Sequence, residues 1–114
     1  MRYLVIYRAE TREEGAMPDP EHMATMGRYV EESLANGKLI ATEPLGVRDT
    51  GARVRLADGR YTVADETERA SGYAFLNAPS REAVIEMCKE FLGIAGDGLC
   101  EVRQIMEFGP PPAA

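Results

Sequence analysis

The first apolar run of the chain, RYLVIY (2–7), has aliphatic or aromatic side chains at nearly every position. Both faces of the alternation are therefore apolar, which predicts a central strand covered on both sides. The next stretch, RAETREEGAMP (8–18), is polar and contains Gly15 and Pro18, so it reads as a loop. Met23, Met26, Gly27, Val30 and Leu34 then recur at helical spacing and form one apolar stripe. Asp19 is a good N-cap for this helix, Pro20 suits its first position, and Glu21 complements the positive end of its dipole. Asn36-Gly37 supplies the stop, since both residues tolerate a left-handed backbone.

The pattern continues with a strand, KLIATEPL (38–45), ended at or shortly after Pro44. ARVRLADGRYTVA (52–64) predicts a hairpin with Asp58-Gly59 at its tip and Ala52, Val54, Leu56, Tyr61 and Val63 on one face. SGYAFLNA (71–78) is a further strand. Ser80 caps a second helix, with Val84, Met87, Cys88, Phe91 and Leu92 as its stripe, and GIAGDG (93–98) breaks it. LCEVRQIMEF (99–108) is the last strand, and the Pro-rich tail 109–114 follows a single domain of residues 1–108. The order β-α-β-(β-β)-β-α-β is an α+β, ferredoxin-like split βαβ plan with an inserted β-hairpin. Right-handed crossovers put both helices on one face of the sheet. The opposite face carries apolar residues too, and exposed apolar surface of that size marks an interface. A homodimer through the open sheet face, closing into an α+β barrel, is the expectation.

Composition narrows the function classes. The 114 residues carry a net charge of −6, which disfavours nucleic acid unless a basic stripe exists. Arg53, Arg55 and Arg60 come closest, and their turn and alternating positions read as the solvated face of the hairpin. No apolar run approaches the roughly 20 residues of a membrane span, and the first ten residues read as a strand rather than a secretory signal. No nucleic-acid or membrane partner is expected, and the location is expected to be cytoplasmic. Cys88 and Cys100 lack the spacing of a metal or redox motif and read as small core residues. With one histidine and no compact ligand cluster, no metal and no cofactor are expected. Sequence motifs for a serine nucleophile, a P-loop or a dinucleotide fold are absent.

Several segments together resemble the YCII-related superfamily, in particular its DGPF-domain branch. They are the opening MRYLVIYRAE, the segment MGRYVEESLANGKLIATEPLG, the hairpin GARVRLADGRYTV, the entry ETERASGYAFL and the closing CEVRQI. The most specific part is Tyr29, Glu31, Glu32, Gly37, Leu39, Glu43 and Leu45 in their spacing. The resemblance implies a dimeric α+β barrel and, for some relatives, isomerase, lyase or dehydrochlorinase-like chemistry. The chain departs from the family after the hairpin, where TVADETERASG replaces the usual Asp-Gly-Pro-Phe and its acidic run. Asp65 and Glu68 stand where that run's glutamates would be. The closing strand reads Val102-Arg103-Gln104 where relatives have Val-Arg-Pro. A histidine that some relatives keep on the first helix falls on Met26 here, and His22 lies one turn earlier.

The candidate catalytic residues are Glu43, Asp65 and His22; the candidate substrate-binding residues are Glu68, Tyr73 and Arg103. If Leu39, Ala41 and Leu45 face the core, alternation turns Glu43 inward as well, and a buried carboxylate needs a partner, for which Arg103 is the candidate. Asp65 and Glu68 precede the strand SGYAFLNA (71–78), where a solvated loop is the plainer reading. His22 is either a cavity residue or an exposed first-turn histidine. Two functions follow. One is a small-molecule-binding dimer or cofactor-free acid–base enzyme with its ligand in a cleft between sheet and helices. The other is a non-catalytic dimeric ligand-binding or regulatory accessory module.

Overall fold

The structure is a computed structural model that describes residues 1–10 and 19–107. Residues 11–18 of the predicted loop, Phe108 of the last predicted strand and the Pro-rich tail 109–114 lie outside the described residues. The elements are β1 (Arg2–Ala9), α1 (Pro20–Ala35), β2 (Leu39–Pro44), a 3₁₀ turn (Arg48–Thr50), β3 (Arg53–Ala57), β4 (Arg60–Ala64), β5 (Gly72–Asn77), α2 (Arg81–Ala95) and β6 (Gly98–Gln104). The main sheet has the order β2-β5-β1-β6, and every neighbouring pair is antiparallel. With both helices packed on one face, this is the α+β, ferredoxin-like plan that the element order predicts.

The local signals explain the element ends. The Asp19 side chain accepts the backbone N–H of His22 at 2.8 Å, and Pro20 opens α1. Asn36 closes the helix and Gly37 follows at φ +80°. Ser80 caps α2 through the backbone N–H of Ala83, and Gly96, at φ +95°, ends it. Gly93 therefore sits inside the helix rather than breaking it. Asp58 and Gly59 both have positive φ, 51° and 75°, as a two-residue turn of the twist-matched type requires.

β1 occupies the centre, and its alternation divides the sheet into two surfaces. Tyr3, Val5, Tyr7 and Ala9 are buried beneath the helices. They meet Leu76 and Ala74 on β5 and Cys100 and Val102 on β6 across the ladders. Val84 and Cys88 of α2 close over them, and Val84 is 0% exposed. Burying a side chain of that size stabilises a fold by roughly 1.5–3 kcal/mol. Leu4, Ile6, Tyr73 and Phe75 line the opposite surface, which no helix covers, and all four are half-buried. Beside them Arg8 pairs with Glu101.

The α1 stripe differs from the predicted one at its end. Ser33 is buried, whereas Leu34 is 46% exposed. The inward arc follows Met26, Tyr29, Val30 and Ser33, and Leu34 lies one residue round the cylinder from it. The hairpin differs more. β3 and β4 form a sheet of their own, and every residue in both strands is exposed. Val54 lies opposite Val63 and Leu56 opposite Tyr61, so the predicted apolar face exists but nothing in the described chain covers it.

Candidate functional site

A cavity of about 450 Å³ lies between the two helices and the covered face of the sheet. That volume falls within the range of small-molecule sites. Its walls are apolar: Val5, Leu39, Ala74 and Leu76 from the strands, Met23, Met26 and Val30 from α1, Met87 and Phe91 from α2. The methionines give the walls unbranched, adaptable side chains. Topology explains one end of the cavity. α1 starts beyond the carboxyl end of β1, β2 runs parallel to β1, and β5 starts there. His22, Glu43, Pro44, Ser71 and Tyr73 therefore gather at the same end of the cavity.

Each of the six candidate residues has a definite place. His22 is half-buried and lines the cavity together with Met26, one turn further along the same helix. Glu43 belongs to the rim, but its carboxylate is not turned into the core. The ladder between β2 and β5 shifts register between Leu39 and Ala41. Leu39 faces Leu76 beneath the helices, whereas past the shift Ala41 faces Phe75 and Glu43 faces Tyr73 on the uncovered surface. Glu43 is exposed, and its Oε2 accepts a hydrogen bond from the Tyr73 hydroxyl at 3.3 Å. The sequence expectation of an inward Glu43 fails because one bulged residue reverses the alternation.

The expected Glu43–Arg103 pair is also not formed. β2 and β6 are the two edges of the sheet, and Arg103 faces Leu4 on the far strand. Three inter-strand spacings, about 14 Å, separate the two edges. Asp65 ends the hairpin and is exposed, as is Glu68 in the following loop, and neither lines the cavity. That loop is tied down elsewhere: Thr67 N–H donates to the Arg48 carbonyl at 3.2 Å, and Ser71 N–H to the Tyr7 carbonyl at 2.7 Å. The structure thus sets His22 on the cavity wall, pairs Glu43 with Tyr73 on the opposite face at the same end of the sheet, and leaves Asp65, Glu68 and Arg103 outside.

Other cavity residues carry chemistry that periodicity alone does not single out. Cys88 of α2 and Cys100 of β6 are free thiols that line the cavity, and Cys100 packs against the core cluster that includes Cys88. Interaction between the two thiols lowers the Cys88 thiol below its ordinary range, and the same interaction, then burial and the Cys88 charge, hold the Cys100 thiol far up. Tyr29 spans the helices, its hydroxyl donating to the Met87 carbonyl at 3.3 Å, and burial, then the charges of Glu90 and Cys88, raise its phenol. Desolvation and then the neighbouring Glu43 carboxylate raise the Tyr73 phenol, so this hydroxyl remains a donor at neutral pH. The Tyr7 hydroxyl is buried without a partner among the described residues, and its ring packs edge-on against Phe91 at 4.8 Å. Among the described residues no three His, Cys, Asp or Glu side chains gather closely enough to hold a metal ion, and no helix is long and apolar enough to cross a membrane.

A family model described as the YCII-related domain matches residues 1–109. The chain belongs to that family. A search of curated proteins finds no match.

Proposed function

We propose that this YCII-related protein is a small-molecule-binding homodimer whose ligand lies between the helices and the sheet. The observation that carries this reading is the largely apolar cavity of about 450 Å³ between helices and sheet, with His22 and Ser71 at one end. Such a lining favours a compact organic molecule with one polar end directed at His22 and Ser71. The uncovered face of the sheet, with Leu4, Ile6, Tyr73 and Phe75, supports association of two copies through that surface, and the hairpin's apolar face adds further area to cover. The hairpin and its flanks also favour the DGPF branch of the family, despite the missing Asp-Gly-Pro-Phe.

A second reading, cofactor-free acid–base catalysis, has one observation in its favour. His22, the chain's one histidine, is half-buried on the cavity wall with Met26. On this reading His22 takes a proton from a ligand carbon or hydroxyl at that end of the cavity. Incubation with a five-membered lactone in D₂O, followed by proton NMR, separates the two. A catalytic protein speeds deuterium uptake at the acidic carbon, and His22→Ala removes the acceleration. A binding module gives saturable line broadening with uptake at the buffer rate.

A further inference from the structure

Five sulfur atoms line the one cavity: the thioethers of Met23, Met26 and Met87 and the thiols of Cys88 and Cys100. The two thiols come from different elements, α2 and β6, and line the same cavity. Cys88 is 9% exposed and belongs to the core cluster, against which Cys100 packs. Position and packing together make a dithiol held between α2 and β6. We infer that Cys88 and Cys100 form a two-thiol binding site for a trivalent organoarsenic centre, whose organic group occupies the apolar cavity.

Charge and shape select this class among thiophilic ligands. A monovalent soft cation bound by two thiolates leaves a net negative charge, which an apolar cavity disfavours strongly. Divalent mercury gives a neutral product, but its linear geometry spreads the sulfurs apart and leaves no third substituent to fill the space. Among the described residues no third thiol, imidazole or carboxylate joins the pair, so a four-ligand zinc site does not form. Trivalent arsenic accepts two sulfurs at a bent angle, carries one organic group and ends neutral. The balanced step starts from an organoarsenic oxide. Two arsenic–sulfur bonds form, the arsenic–oxygen bond breaks, and both thiol protons leave on that oxygen as water. Arsenic stays trivalent, and no oxidant or reductant is needed. This inference rests on the cysteine pair alone and holds whether or not the protein is catalytic.

Phenylarsine oxide is the probe, read by native mass spectrometry of the full chain. One adduct per chain is expected, at the reagent mass less one water. Chelation should make the wild-type adduct withstand roughly 100-fold more monothiol than the adducts of Cys88→Ser or Cys100→Ser. A small dithiol should remove it at low concentration. Should a serine variant fold poorly, the ratio of monothiol to dithiol needed to strip the wild-type adduct gives the same answer. A carboxylated phenyl analogue should be held about tenfold less tightly, since its charge cannot be buried cheaply. Two adducts per chain, or monothiol stripping the wild type as easily as the single variants, overturns the dithiol. Equal retention of the charged analogue overturns the cavity placement.

Discussion

The helix-covered face of the sheet and the β3–β4 hairpin have similar sequence patterns and opposite fates. Tyr3, Val5 and Tyr7 alternate on β1 much as Val54 and Leu56 do on β3. The first set is buried, while Val54 is 69% and Tyr61 74% exposed. What differs is the surface opposite. α1 and α2 lie across the covered face, held there by crossovers of fixed hand, whereas the hairpin is an insertion whose two strands pair only with each other. Amphipathic alternation marks a face that needs covering; connectivity decides whether the same chain covers it. The hairpin and the open sheet face are therefore the surfaces that a second copy would cover.

The largest effect expected from this comparison is on association. Phe75→Glu, on the uncovered face, should raise the dimer dissociation constant by about 100-fold or more, as loss of a central apolar anchor does. Val63→Glu on the hairpin should raise it by about tenfold or less, since edge contacts carry less energy. Light scattering across protein concentrations measures both. A larger effect from Val63 would move the interface to the hairpin, and a wild-type monomer at micromolar concentration would remove the dimer.

Stability should separate the regions next. Val84→Ala should cost about 2 kcal/mol in urea unfolding, through lost burial and a residual void. Val63→Ala should cost less than about 0.5 kcal/mol, as exposed substitutions do. Equal costs would mean that the hairpin face is covered after all.

Two glycines test the covered face more finely. A Cβ at Gly98 would lie 2.7 Å from Tyr7 Cε1 and 2.8 Å from the Arg8 carbonyl oxygen. Gly98→Ala should therefore destabilise by about 1–3 kcal/mol, the usual cost of overpacking. A Cβ at Gly27, on the cavity side of α1, meets nothing within 4 Å. Gly27→Ala should raise stability by about 0.5–1 kcal/mol through helix propensity. Thermal melts of the two variants should move in opposite directions.

The smallest effect is a titration on the uncovered face. The Tyr73 phenol is raised by desolvation and by Glu43, so its protonated form is favoured in the folded state. Its contribution to stability is present below the ordinary tyrosine range and is lost as pH rises through the raised value. Glu43→Gln removes the repelling charge and should bring the phenolate absorbance midpoint down, with the desolvation part remaining. An unchanged midpoint would mean that the carboxylate does not act on this hydroxyl.

The fold was legible in the sequence because each local signal agreed with the global plan. Asp19, Pro20, Asn36-Gly37, Ser80 and Asp58-Gly59 mark element boundaries, and the strand–helix order leaves few topologies. His22 was only half legible, since its one-turn offset to Met26 left a cavity place and an exposed first turn both open. Glu43 was not, because strict alternation assumes an unbroken ladder and the shift between Leu39 and Ala41 breaks it. The separation of Glu43 from Arg103 follows from strand order, with β2 and β6 at opposite edges. The meeting of Cys88 and Cys100 depends on how α2 lies across β6, a packing detail that neither stripe contains.

The central claim is that the cavity beneath the helices takes a small organic molecule. A thermal-shift screen of phenols, lactones and small carboxylates, run in parallel on wild type and Met26→Trp, tests it most directly. Met26 lines the cavity, and an indole in its place should fill much of the space. The account predicts that at least one class raises the wild-type melting temperature in a concentration-dependent way and leaves the filled variant unmoved. Shifts of equal size in both proteins, or none in wild type from any class, would contradict it.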